Sequence, residues 1–203
     1  MDAMSRTGWQ FFISLVVLAA AGGLWWWLGG RPAAGPAPLS FEEQVAAAKE
    51  ANGAGLSPEA AAVASQAASA PFTRTYENTS YGFSFGYPDS LKVGSSEGGD
   101  GSLTIIAQDA AAHVGFQVRI SPWEGGDITT EQIKQDLPQI EVRVSQQVTV
   151  GGAPALAFLT SDSNFGDSRQ VWFSYRGLLY QVSTYSSQDA LLEKVLGTWQ
   201  FNN

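Results

Sequence analysis

Residues 76–88 read Y-E-N-T-S-Y-G-F-S-F-G-Y-P, and this stretch decides the fold of the larger part of the chain. Aromatic side chains occupy every second position from Tyr81 to Tyr87, with small residues between them. A strand places alternate side chains on opposite faces, so the pattern predicts a strand with a buried aromatic face. Pro-Asp-Ser at 88–90 ends it. The stretch therefore indicates a β-containing domain with an aromatic core.

Downstream of residue 88, short alternating segments bounded by turn residues predict further strands. They lie at 91–93, 102–108, 114–121, 142–150 (a strand or a bulged pair), 155–160, 170–175, 178–185 and 198–201. Arg176-Gly177 predicts a two-residue hairpin turn. Helices are expected at Thr129–Leu137 and at 188–196, the second with Ser187 as its N-cap. The order predicts an α+β domain, a mostly antiparallel sheet with helices packed on it.

The aromatic residues of these strands are expected in the core, because they alternate as a buried face does. The set comprises Tyr81, Phe83, Phe85, Phe173 and Tyr175.

Upstream, residues 9–28 contain no charged side chain. A helix of this length rises about 30 Å, the thickness of a bilayer's hydrocarbon core. Trp9 lies at one end and Trp25, Trp26 and Trp27 lie at the other, where amphipathic rings favour the headgroup region. We expect a membrane anchor that binds lipid. The alternative is a signal peptide cut after Ala21.

These features divide the chain into four parts. They are a short N-terminal arm (1–8), a transmembrane helix (9–29), an Ala/Pro-rich linker or stalk (30–71) and an α+β domain (72–203). Arg6 and Arg31 flank the span with little charge asymmetry, but the short arm favours a cytoplasmic N-terminus. We therefore expect a single-pass protein of the cytoplasmic membrane with its C-terminal domain outside.

Two short helices are expected within the linker. Ser40 and Glu43 form a capping-box pattern, and Ser57-Pro58-Glu59 opens an alanine-rich helix that ends near Ala70. The simpler interpretation of these two helices is a semi-rigid stalk. The alternative is a helix pair that docks on a partner or on a second copy, which gives self-association through residues 9–70.

Composition excludes several classes of function. The 203 residues carry a formal net charge of −8 and no cysteine. An acidic chain is repelled by a phosphate backbone, so nucleic acid is not an expected partner. Without cysteine there is no disulfide, no thiolate metal site, no cysteine nucleophile and no lipoprotein anchor.

Catalytic motifs are also absent from the sequence. His113 is the single histidine, it precedes a predicted strand, and we expect a surface turn residue there. No phosphate-binding loop or dinucleotide-binding motif occurs, and the letters G-F-S-F-G at 82–86 lie within the predicted strand rather than at a strand-to-helix turn. We expect a protein that is not an enzyme and that uses no cofactor.

Asp162, Asn164 and Asp167 lie in a glycine-containing loop at spacings similar to those of a calcium loop. The third ligand and the distant bidentate glutamate of an EF-hand are missing. These residues are a candidate calcium site, and a polar turn is the simpler interpretation.

Trp123 is the candidate partner-binding residue. It follows a predicted strand in the sequence S-P-W-E-G-G, with Glu124 and Asp127 as a polar rim. Large aromatic residues in loops are favoured anchors of protein interfaces. The alternative is that Trp123 packs at the end of the strand.

The run 76–88, the segment Val148–Ala155 (V-T-V-G-G-A-P-A) and a last helix followed by a Trp/Phe strand resemble Mog1/PsbP-like domains over residues 74–203. The resemblance implies an α/β/α sandwich around an antiparallel sheet. It also implies a non-catalytic accessory or scaffolding role, in some members with metal ions.

Together these features predict a membrane-anchored, extracytoplasmic binding or assembly module of PsbP-like type. Another membrane or envelope protein is the expected partner. The alternative is a structural subunit of an envelope complex or surface filament, and an enzyme ranks last.

Overall fold

The structure is a computed structural model, and it describes residues 58–138, 140–162 and 166–202. Its helices are α1 (Pro58–Ser69), α2 (Thr130–Asp136) and α3 (Asp189–Gly197), the last preceded by a 3-10 turn at Ser186–Gln188. Its strands are β1 (Arg74–Asn78), β2 (Phe83–Tyr87), β3 (Lys92–Glu97), β4 (Leu103–Asp109), β5 (Val114–Pro122), β6 (Arg143–Val150), β7 (Ala153–Asp162), β8 (Gly166–Tyr175), β9 (Leu178–Tyr185) and β10 (Gln200–Phe201).

The strands form two antiparallel sheets. The large sheet has seven strands in the order β3-β4-β5-β9-β8-β7-β6, and the small sheet has three in the order β1-β2-β10. In the large sheet β5 pairs with β9, so the β3–β5 meander lies beside the β6–β9 meander. The predicted mostly antiparallel sheet is confirmed, and few helices accompany it. The architecture is richer in sheet than the α/β/α sandwich that the resemblance implied.

An aromatic core lies between the small sheet and one face of the large sheet. The Phe83 ring stacks on Trp199 with centroids 4.8 Å apart, and Phe85 meets Phe116 edge-on at 5.5 Å. Phe83 and Phe85 are 0% and 1% exposed, so the aromatic face of β2 is buried as predicted. This cluster joins β2 to β5, β8, β9 and the segment after α3.

A second apolar cluster covers part of the opposite face of the large sheet. Ile133 and Leu137 pack there against Phe158, Trp172 and Leu179. Helix α2 begins where the Thr129 side chain accepts a hydrogen bond from the Gln132 amide, and the apolar positions of the helix face the sheet. The predicted helix at 129–137 is confirmed, with its apolar side inward.

Helix α1 packs on the domain, although its residues fall in the range that we assigned to the stalk. Ala64 and Ala67 are 4% and 5% exposed and belong to the main core. The Lys194 ammonium on α3 donates to the carbonyl oxygens of Ala68 (3.1 Å) and Ala70 (2.6 Å). The small alanine side chains let α1 pack closely against the main core. The Lys194 ammonium satisfies backbone carbonyl groups at the C-terminal end of α1.

Some local predictions differ from the structure. Strand β1 was not predicted, and Tyr81 lies in the turn before β2, half-buried, instead of on the strand. Ser187 is not the N-cap of α3; the cap is Gln188, whose own side chain makes no capping bond. The buried Gln188 amide bonds instead to the backbone of His113 and Gly115, which ties α3 to the turn before β5.

The predicted anchor, its tryptophans Trp9, Trp25, Trp26 and Trp27, and the first linker helix lie outside the described residues. Within the described ranges, no helix has both the length and the hydropathy needed to cross a bilayer. The membrane anchor stays a prediction.

Candidate functional site

Three connections meet at one end of the large sheet. They are the loop after β5 (123–127), the β8–β9 turn (Arg176–Gly177) and the β1–β2 turn (79–82). The Trp123 amide donates to the Gly177 carbonyl at 2.8 Å, which fixes the first loop against the second. Arg176 and residues of the β1–β2 turn line one common cleft. The partner-binding residues predicted from sequence therefore lie beside the predicted Arg176-Gly177 turn and near a cleft that was not predicted.

The loop at 123–127 is folded around its own tryptophan. The Trp123 indole N–H donates to the Gly126 carbonyl at 3.0 Å, and the ring packs on the α2 cluster. A Cβ at Gly125 would lie 2.3 Å from the indole, so only glycine fits this close approach. Trp123 is thus partly buried, and it holds the loop in one conformation.

Glu124 and Asp127 are exposed on this loop. The buried part of the indole fixes the backbone that carries them, so two carboxylates stand beside the remaining exposed part of the ring. Such a rigid acidic loop can contact a protein partner at a low cost in conformational entropy.

The β1–β2 turn is held by side-chain and backbone hydrogen bonds. The side-chain oxygen of Asn78 (Oδ1) accepts a hydrogen bond from the Tyr81 backbone amide at 3.0 Å, which makes an Asx-type turn. The side-chain nitrogen of Asn78 (Nδ2) donates to the Tyr76 hydroxyl. Gly82 has φ +64°, and its carbonyl accepts from the Asn202 amide at 2.8 Å. The turn is therefore tied to the segment that follows β10.

The β8–β9 turn has two residues, as predicted, and both are left-handed. Arg176 has φ +50° and Gly177 has φ +75°. Tyr175 stacks on Phe201 at 3.7 Å, and the Arg176 guanidinium lies 5.2 Å from the Tyr175 ring centre. This stack fixes the base of the turn, and the Tyr175 ring makes a cation–π contact with Arg176.

Between the two turns lies a cleft of about 460 Å³. Its lining combines hydroxyls, an amide, one cation, one carboxylate and an apolar side chain. The residues are Glu77, Thr79, Ser80, Tyr81, Gly82, Arg176, Leu178 and Asn202.

Tyr180 lies behind this cleft in the aromatic core. Its side chain is 0% exposed, and its hydroxyl has no hydrogen-bond partner within the described part of the chain. Burial raises the pKa of Tyr180 to about 12; Tyr175 and Tyr81 add to the rise and Arg176 opposes it. The hydroxyl is therefore neutral at neutral pH, and Tyr180 lies on the same face of β9 as the lining residue Leu178.

Asp167, one of the candidate calcium residues, lies at the opposite end of β8. Asp167 accepts hydrogen bonds from the Ser161 hydroxyl (2.7 Å) and from Arg143 (2.8 Å), and these contacts hold the pKa of the carboxyl below its usual range. Asn164 and the Asp162 side chain lie outside the described residues. Asp167 thus already has a cation beside it, and the calcium site stays a prediction.

His113 is exposed in the turn before β5, with φ +54°, as expected of a surface turn residue. Within the described ranges, no group of three or more histidine, aspartate and glutamate side chains is placed to hold a metal ion.

Sequence reasoning missed the cleft because its walls come from segments about 100 residues apart. Two local signals were present. The first is Arg176, because arginine is an unusual residue at the first position of a left-handed turn. The second is Tyr81, which belongs to the aromatic alternation but precedes Gly82, the residue after which β2 begins.

No protein-family model matches the chain, and no curated protein matches it significantly. Among solved structures, it is similar to the solution structure of CyanoP, the cyanobacterial PsbP of Synechocystis sp. PCC 6803. The TM-score is 0.46 and the identity 16%, over 63% of this chain and 91% of that one. A Pseudomonas aeruginosa protein of unknown function matches with a TM-score of 0.29 and 13% identity, over 58% and 86% of the two chains. Both TM-scores lie below 0.5, so neither likeness says what this chain binds or does.

Proposed function

We propose that the chain is a membrane-anchored, extracytoplasmic, non-catalytic binding or assembly module of PsbP-like type. The PsbP-like assignment rests on the residues at 76–88 and on a mostly antiparallel domain with few helices. The anchor rests on the uncharged stretch 9–28. The partner is another membrane or envelope protein, bound at the Trp123 loop.

The loop at 123–127 is the observation that carries the binding role. Its ring, its indole N–H and its backbone amide are all engaged within the domain, while Glu124 and Asp127 face solvent. A surface that is already ordered loses little conformational freedom when it binds.

Attachment to the membrane lets such a surface work with a modest contact area. Two partners confined to one membrane meet at a raised effective concentration, so a weak contact is sufficient. The formal net charge of −8 favours a partner whose facing surface is basic.

Co-purification of the full-length chain from gently solubilised membranes tests this proposal. We expect Glu124→Gln/Asp127→Asn to reduce the recovery of a co-purifying membrane protein at least fivefold. Glu97→Gln/Glu193→Gln, which neutralises two exposed carboxylates elsewhere on the domain, should leave recovery unchanged. Equal recovery with both double variants would contradict the assignment of this loop. Recovery of the chain alone as a defined oligomer would favour self-association through residues 9–70.

A further inference from the structure

The cleft between the β1–β2 and β8–β9 turns has no role in the binding surface described above. We propose that it binds a peptide carboxylate, with Arg176 as the cation and the hydroxyls of Thr79, Ser80 and Tyr81 as hydrogen-bond donors. This site is separate from the Trp123 loop and does not depend on it.

The backbone of Arg176 supports a role for its side chain. A left-handed conformation costs an arginine roughly 1 kcal/mol or more, whereas glycine or asparagine adopts it readily. Arg176 nevertheless holds φ +50° at the first position of the turn. Strained residues of this kind occur at binding sites, where the surrounding structure maintains them. The Tyr175–Phe201 stack beneath the turn provides that support.

The chemistry of the lining selects the ligand. A guanidinium beside hydroxyl donors is a favourable environment for a carboxylate or a phosphate. Glu77 lines the same cleft, and its negative charge repels a dianion more strongly than a monoanion. A singly charged carboxylate is therefore the better match. Leu178 supplies an apolar wall for the carbon atoms that carry it.

The buried hydroxyl of Tyr180 is a second observation that points to a ligand. A buried donor without an acceptor costs about 1–3 kcal/mol, so native structures rarely leave one. The Tyr180 hydroxyl is such a donor within the described part of the chain, and Tyr180 lies on the same face of β9 as Leu178, which lines the cleft.

The cleft is also rigid. Asn78 fixes the Tyr81 amide, and the Gly82–Asn202 hydrogen bond closes the turn. A Cβ at Gly82 would lie 3.2 Å from the Asn202 carbonyl oxygen, so a side chain there would require a small backbone shift in addition to the strain of its positive φ. The donors are thus arranged before a ligand arrives.

The test is a ¹H–¹⁵N NMR titration of the full-length chain in mild detergent. The probes are N-acetylglutamate α-amide (a side-chain carboxylate), N-acetyl-alanyl-alanine (a chain-end carboxylate), N-acetylglutamine α-amide (the neutral control) and inorganic phosphate. We expect saturable shifts of the Gly82, Arg176 and Asn202 amides with at least one carboxylate, and none with the neutral amide. The carboxylate that binds identifies its source as a side chain or a chain end.

Arg176→Asn is the deciding variant. Asparagine tolerates the left-handed turn, so we expect an unchanged or higher melting temperature together with a Kd weakened at least tenfold. The proposal is overturned if neither carboxylate saturates, if the neutral amide binds equally well, or if phosphate binds more tightly. It is also overturned if Arg176→Asn retains the parent Kd. Recovery of the co-purifying protein should not change in Arg176→Asn, so this site and the Trp123 loop are tested separately.

Discussion

Three described residues other than glycine have positive φ: His113, Val144 and Arg176. Arg176 lines the cleft that is proposed to bind a carboxylate. Val144 is 72% exposed at the bulge of β6, where the register of the β6–β7 pair shifts. A bulge at an edge strand hinders pairing with another chain. Arg176 and Val144 thus belong to different features, the proposed ligand site and a sheet edge.

Gly125→Ala should displace the indole of Trp123, because the new Cβ would lie 2.3 Å from the ring. We expect a loss of about 1–3 kcal/mol in the free energy of unfolding, together with a shifted indole N–H resonance. Gly126→Ala is the matched control, because a Cβ there meets nothing within 4 Å. Equal effects of the two changes would show that the ring is not packed as described.

The decrease in the free energy of unfolding at acid pH should depend on Asp167. Its pKa in the folded state is lowered, first by the Ser161 hydroxyl and then by Arg143, below its value in the unfolded chain. The carboxylate therefore stabilises the fold at pH values above about 4, and this contribution disappears as the pH falls through the folded-state pKa. Its size is small because the pair is solvent-exposed.

Urea unfolding between pH 2 and pH 6 measures this contribution. We expect Asp167→Asn and Ser161→Ala to lose less stability than the parent chain as the pH falls below about 4. A steeper loss in either variant would contradict the sign of the shift.

At the residue scale, the sequence predicted the side chains that pack by alternation and missed those that depend on distant contacts. Phe83 and Phe85 are buried because β2 alternates regularly. Gln188 was not anticipated, because its amide bonds to residues more than 70 positions away. Tyr81 and Tyr175 were expected in the core and are half-buried at its edge, next to the cleft.

Among the elements, β2 connects the two sheets through its aromatic face. Phe83→Ala should reduce the free energy of unfolding by about 3–5 kcal/mol, because the ring is fully buried and stacks on Trp199. Chemical denaturation measures the loss. Ser84→Ala, on the opposite face of the strand, should cost far less. A cost below about 1 kcal/mol at Phe83 would mean that the wrong face of β2 lies inward.

Lys194 should stabilise the packing of α1 against the domain. Lys194→Ala removes two hydrogen bonds to the end of α1 and a cation–π contact with Phe72. We expect a loss of about 1–2 kcal/mol and faster amide exchange in residues 60–70. Lys134→Ala, at the exposed end of α2, is the control. Unchanged exchange in α1 would show that alanine packing alone holds the helix.

The elements show what local pattern can and cannot predict. The strands of the large sheet, α2 and the Arg176-Gly177 turn follow from alternation, capping and turn chemistry. Strand β1 has no apolar alternation, and it forms because β2 offers an edge with which it pairs from Arg74 to Asn78. The packing of α1 also escaped prediction, because an alanine-rich helix carries almost no apolar signal for its buried side.

At the scale of the whole molecule, the packing of α1 brings the folded unit closer to the predicted anchor. Ala64 and Ala67 lie in the core, so the segment available as a spacer ends at the start of α1, at Pro58. The proposed tether thus consists of residues 30–57, and α1 leads directly into the domain. The Trp123 loop and the cleft both lie on this domain.

The central claim is that the domain at 58–202 is displayed outside the membrane by an uncleaved anchor. Protease treatment of intact cells, followed by carbonate washing of the membranes and mass spectrometry of the retained fragment, tests it most directly. We expect the full-length chain in the washed membrane fraction before digestion. After digestion, a protected fragment containing residues 1–28 should remain and the domain at 58–202 should be lost. A soluble product that begins at Gly22, or a domain that resists protease until the cells are lysed, would contradict the claim.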